Sequence, residues 1–287
     1  MKYVISATLI FSALTLFLFC RLDNLLITSQ HVQKIELGGL QHGVKGKLIL
    51  PENITSPPVL MINGAEANQP HYPSSIYTPL INALVSQGIG VFLLTHNAVQ
   101  PQHLLSSFRP EGNPLTSTIA ALKSLKSLAN SRFGLLSFNA DNAEVKTPAL
   151  LSQLDYLIIS VAKEDALNNN ANYYDVAKMA LHNLTGSKTE ALFLISDREH
   201  LAVNTHESFI GFDDKHAAPH CFAVVSDATK MLLKSQWYPS SSSFERWSLS
   251  EKLHFWVQGE KAWAPDAIKS IAAWVLKGSQ STCSSPG

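Results

Sequence analysis

The chain has 287 residues, 46% of them hydrophobic and 15% charged, enough apolar material for one large domain core. Lysine plus arginine and aspartate plus glutamate both number 22, so the formal net charge is zero. That balance supplies no bulk attraction toward a polyanion, and no nucleic-acid partner is expected.

Residues 3–20 are apolar, with Lys2 before them and Arg21 after them. Only Ser6, Thr8, Ser12 and Thr15 interrupt the run, at the lower length limit for a bilayer-spanning helix. Residues 1–21 read as an uncleaved signal anchor that exports the rest, with the domain in a periplasmic or extracellular space. A cleaved signal peptide is the alternative, but no small-x-small pair follows the run. Phe17-Leu18-Phe19 before Cys20 are too bulky for a lipidation signal. Residues 22–33 read as a linker, 34–278 as one domain and 279–287 as a disordered tail.

Within the domain, residues 45–50 alternate and end at Pro51, which predicts a strand. Pro58-Val59-Leu60-Met61-Ile62 is a continuous apolar run of the kind found in buried parallel strands. Ile76, Leu80, Ala83 and Leu84 recur at helical spacing and stop at Gly88, a C′ glycine. Residues 89–94 predict the next strand. Ile119, Leu122, Leu125 and Leu128 predict an amphipathic helix over 115–128, with Lys123 and Lys126 outward. Residues 133–136, 157–161 and 191–195 predict three more strands. Pro265-Asp266 opens, and Gly278 closes, a last helix over 268–276. Strands alternating with helices in this way predict an α/β fold, with a mostly parallel central sheet and helices on both faces.

Four stretches resemble the α/β-hydrolase fold, closest to its dienelactone-hydrolase-like and small-esterase branches, and the likeness spans most of 34–278. Val59-Leu60-Met61-Ile62-Asn63-Gly64-Ala65 is similar to the strand that leads into the oxyanion loop. Arg132-Phe133-Gly134-Leu135-Leu136-Ser137-Phe138-Asn139 is similar to the strand and nucleophile elbow. Leu192-Phe193-Leu194-Ile195-Ser196-Asp197-Arg198-Glu199 is similar to the strand whose following turn carries the acid. Leu253-His254-Phe255-Trp256 is similar to the histidine loop. The order nucleophile, acid, histidine is the family's own. The resemblance places Asn139, Glu199 and His254 in the three triad positions, with Asp197 as rival acid. It makes the backbone N–H groups of Ala65 and Ala140 the oxyanion donors.

Asn139 departs from the family's serine. Asparagine tolerates the positive φ of an elbow, so the turn survives while the hydroxyl is lost. An amide nitrogen is no nucleophile at neutral pH, which closes the acyl-enzyme route. Asp141 replaces a glycine of the family's pattern and Asn63 replaces a histidine. Ser137, two residues before the turn centre, reads as a small residue that fits beneath it.

The expectation is therefore an exported, membrane-anchored protein derived from a carboxylic-ester hydrolase, with weak or no serine-hydrolase activity. A small-molecule ester or acyl group is its expected ligand, the membrane its partner through the N-terminal helix, and no cofactor or metal is expected. One alternative is a non-catalytic ligand-binding or protein-interaction module on the same scaffold. A lesser one is a metal-dependent hydrolase using His200, His206, His216 and His220 beside Asp213-Asp214. Pro219 breaks helical continuity there, and a polar loop is the simpler reading. Cys221 and Cys283 read as a buried thiol and a tail thiol, pairing only if the domain lies outside the reducing cytoplasm.

Overall fold

A computed structural model describes residues 31–37, 44–63, 76–95, 114–138, 147–162, 184, 187–197, 220–229, 231–238 and 247–278. These residues build one eight-stranded sheet in the order β1-β2-β4-β3-β5-β6-β7-β8. The strands are β1 (His31–Leu37), β2 (Val44–Leu50), β3 (Val59–Asn63), β4 (Gly90–Thr95), β5 (Phe133–Ser137), β6 (Tyr156–Ala162), β7 (Glu190–Asp197) and β8 (His220–Ser226). β2 is antiparallel to β1 and to β4, and every pair from β4 through β8 is parallel.

Parallel strands covered on both faces need apolar residues at every position, and β5 is buried along its whole length. Alternation along the strands sorts their residues into two clusters. The first face gathers Leu60, Ile62, Leu136, Ile158, Leu192 and Leu194. It is covered by helices α1 (Thr78–Val85) and, later in the chain, α4 (Leu249–Gln258) and α5 (Pro265–Lys277). The second face gathers Met61, Phe133, Leu135, Leu157, Ile159 and Phe193 under α2 (Pro114–Ser124) and the short α3 (Pro148–Leu151).

The amino ends of β3, β5 and β6 are tied together by one side chain. Tyr156 lies across Gly134 and its hydroxyl donates to the Val59 carbonyl at 2.8 Å. A Cβ on Gly134 would fall within the Tyr156 ring, so glycine here makes room for an aromatic neighbour. Burial pushes the Tyr156 phenol far above its usual range, against the opposing pull of Arg132. Beside it, Arg132 pairs with Glu190 at 3.0 Å, and the Asp155 carboxylate accepts from the Phe133 N–H at 2.7 Å.

The predicted strands and helices are present with shifted ends, and several regions differ. A strand starts at His31, inside the stretch read as linker. The helix expected over 115–128 stops at Ser124, because Leu125 is extended (ψ 125°), and a single 3₁₀ turn follows over Lys126–Leu128. His220, read with the other histidines as part of a polar loop, opens the edge strand β8. Residues 253–256, expected as a loop, belong to α4, whose start is fixed by a capping box between Ser248 and Glu251. Cys221 is disulfide-bonded rather than a free thiol, and its partner lies outside the described residues. Among the described residues no helix is long and apolar enough to cross a membrane; residues 3–20 lie outside them.

Candidate functional site

The chain winds from β3 to β4 on one side and from β5 to β8 on the other, so the sheet's order reverses between β3 and β5. In open parallel sheets, ligands sit outside the carboxyl ends of the strands at such a reversal. Five predicted positions lie in sequence at or just after the carboxyl ends of β3, β5 and β7. Ala65 follows the last residue of β3 by two positions, and Asn139 and Ala140 follow the end of β5 by two and three. Asp197 is the last residue of β7 and pairs in register with Ser226 of β8, with Glu199 two positions farther on. Ala65, Asn139, Ala140, Asp141 and Glu199 themselves lie outside the described residues.

Ser137 is buried on β5. It shares strand parity with Phe133 and Leu135, which belong to the second face. His254 sits on α4 over the first face, where its neighbour Phe255 joins the core. The sheet therefore separates Ser137 from His254, a physical reason against the pair working as nucleophile and base.

The His254 surroundings begin where β8 ends. Asp227 and Leu232 both take positive φ (54° and 60°), and Leu232 does so although bulky and fully buried. This reversal lets Ala228 pair with Lys234 and Leu233 with Trp263. It returns Trp237 and Tyr238 toward α4. The Tyr238 hydroxyl lies 3.4 Å from His254 Nδ1, and Gln258 Nε2 lies 3.3 Å from His254 Nε2. An amide nitrogen only donates, so Nε2 accepts from Gln258 and Nδ1–H is turned to the tyrosine oxygen in this assignment. The Trp237 ring meets the imidazole edge-on at 5.0 Å, and Trp247 stacks on Tyr238 at 4.9 Å. Burial pushes the Tyr238 phenol well above its usual range, so it stays neutral.

Chemically, this is an imidazole with both nitrogens engaged by neutral groups. A triad histidine instead keeps one nitrogen free for the nucleophile while a carboxylate holds the other. Sequence reasoning singled out His254 but missed both partners. Gln258 was readable, since it lies one helical turn after His254. Tyr238 was not, because its approach depends on the turn after β8.

His220 opens β8 edge-on to Phe222, with ring centres 5.9 Å apart. Among the described residues no group of three His, Cys, Asp or Glu could hold a metal ion; His200, His206, Asp213, Asp214 and His216 lie outside them.

No protein-family model matches the sequence, and no curated protein does either. Solved structures do match. A truncated carbohydrate esterase from gut microbiota superposes with a TM-score of 0.53 at 12% identity, over 88% of this chain and 98% of that one. An esterase from Pyrobaculum calidifontis gives 0.52 at 10% identity, over 90% and 88%. A dienelactone hydrolase from Anabaena variabilis gives 0.50 at 11% identity, over 86% and 97%. The chain has the α/β-hydrolase fold. At such identities the likeness concerns the fold alone, and the α/β-hydrolase scaffold hosts many activities.

Proposed function

We propose that this chain is an exported, membrane-anchored α/β-hydrolase-fold protein derived from a carboxylic-ester hydrolase, with serine-type acyl transfer lost. The observation that carries the reading is Asn139, two residues beyond the carboxyl end of β5, where this fold presents its nucleophile. The geometry around His254 supports it, since Tyr238 and Gln258 occupy both ring nitrogens. A disulfide at Cys221 supports a location outside the reducing cytoplasm, because such bonds are rare within it. Residues 3–20 would supply the anchor. The retained role is binding of a small ester or acyl group at the strand ends; Glu199 and His254 are kept as remnants of the triad.

A fluorophosphonate probe tests this directly. The unmodified protein should stay unlabelled, and Asn139→Ser should gain labelling if the acid and histidine positions remain in reach. Labelling of the unmodified protein would overturn the reading. Slow turnover of short acyl nitrophenyl esters that disappears in His254→Ala would likewise restore the case for a working enzyme.

A further inference from the structure

Helix α5 touches both ends of the sheet. Its 13 residues make a rod of about 20 Å, close to the length of the strands it covers. Ala267, Ile271, Ala272, Trp274 and Val275 are buried along it. A rod seated on this much core shifts as a unit, because close-packed interiors deform little.

At the amino ends of the strands, α5 stops against an ion pair. Gly278 follows its last residue with φ 60°, and a methyl group built there would stand 2.6 Å from Glu190 Oε2 and 3.2 Å from Arg132 Nη1. Arg132 holds Glu190 at 3.0 Å and lies over the Tyr156 ring at 5.4 Å. Both partners are fixed by the sheet, since Arg132 immediately precedes β5 and Glu190 opens β7. The guanidinium stands at the end of α5 where the carbonyl dipoles are negative, the favourable sign for a cation.

At the carboxyl ends, the same helix is hydrogen-bonded to the turn that carries a partner of His254. The N–H of Ala264, the N-cap of α5, donates to the Leu232 carbonyl at 2.8 Å, and the Lys234 N–H donates to the Ala262 carbonyl at 2.9 Å. Leu233 pairs with Trp263 between them. Four residues after Lys234 comes Tyr238, whose hydroxyl lies 3.4 Å from His254 Nδ1. On the other side, the 3₁₀ turn Gly259–Ala262 joins α5 to α4, the helix of His254. Tyr238 and His254 thus both hang from the start of α5, one through backbone hydrogen bonds and the other through the chain.

We propose that the Arg132–Glu190 pair is a positioning device for His254, acting through α5. The closed pair fixes where the helix ends, and so where its first turn, the reversal after β8 and α4 sit relative to one another. Opening the pair lets the helix slide, and the long Tyr238–His254 contact is the first to be lost. The two side chains are 37% and 23% exposed, so salt reaches this control point as it does not reach the core. The contacts are contiguous from pair to imidazole, and the coupling between the two ends is the quantity to measure.

The test uses the full chain with isotope-labelled histidine ring nitrogens, the His254 signals being identified by their loss in His254→Gln. Arg132→Gln and Gly278→Ala should each replace the Nδ1–H pattern of His254 with the averaged pattern of mixed tautomers. Both should also speed hydrogen exchange of the Lys234 and Ala264 amides by about tenfold. Arg132→Lys, which keeps the charge, should give the unmodified pattern. Lys269→Ala, which removes an exposed pair with Asp266 on the same helix, should change neither readout. An unchanged His254 spectrum in Arg132→Gln, with faster exchange confined to the last turn of α5, would overturn the proposal. Equally faster exchange in every strand would overturn it too, because the pair would then support the whole fold and not His254. Should Gly278→Ala not fold, Arg132→Gln decides alone. None of these readouts involves Asn139 or turnover, so their failure is separate from failure of the functional reading.

Discussion

The two faces of the sheet are built from different materials. The hydrophobic cluster of the second face consists of aliphatic side chains, Met61 and phenylalanine, with Phe193 stacked on Phe222 at 4.9 Å. The first face brings polar tips into the core: Tyr77, Tyr156, Tyr238, Trp247, Trp263 and Trp274. Two of these, Trp263 and Trp274, are 1% exposed with indole N–H groups that meet no acceptor among the described residues. The difference separates tasks. A face held by volume alone gives rigidity, whereas a face with donors and acceptors can host recognition, and His254 belongs to the latter.

The contrast can be broken by mutation. Phe193→Ala should be the costliest, at about 4 kcal/mol in urea unfolding, because a fully buried ring leaves a cavity with nothing polar to refill it. Gly134→Ala should cost about 3 kcal/mol, since the added methyl meets the Tyr156 ring. Tyr156→Phe keeps the ring and strands the Val59 carbonyl, for about 1.5 kcal/mol. If Tyr156→Phe proved as costly as Phe193→Ala, the polar tips would be holding the fold and the division of labour would fail.

Alkaline titration sharpens the same point. Burial raises the folded-state values of Tyr156 and Tyr238, so their contribution is intact below about pH 10, the ordinary phenol value. It is lost as pH rises beyond that, because the unfolded phenols ionise first. Tyr156→Phe should flatten the alkaline fall in melting temperature. The smallest effect is expected at the start of α4. Hydrogen bonds from Ser248 hold the Glu251 carboxyl below its usual range, so this support is present above about pH 4.5 and fades as pH drops through the lowered value. Ser248→Ala should cost about 1 kcal/mol near neutral pH, checked by urea unfolding.

Much of this was legible in the sequence. Continuous apolar runs marked β3 through β7, because strands buried on both faces leave no polar alternation to confuse them. Gly88 and Gly278 marked helix ends through the positive φ they adopt (86° and 60°). The margins were harder. β1 reads HVQKIEL and β8 reads HCFAVVS, and strands paired on one side mix polar and apolar residues as loops do. The break at Leu125 is a backbone decision that helical spacing cannot reveal. For the candidate site, chain order carried the positions of Asn139, Glu199 and His254. The environment of His254 was hidden, since it rests on a reversal at Asp227 and Leu232, and although Asp tolerates positive φ, a buried Leu does not announce it.

The Tyr156 hydroxyl reaching over β5 to Val59 has a mechanical consequence. It rivets three adjacent ribbons along one margin, the margin remote from the strand tips where a ligand would sit. A sheet fastened this way yields like a hand fan, least at the rivet and most at the open rim.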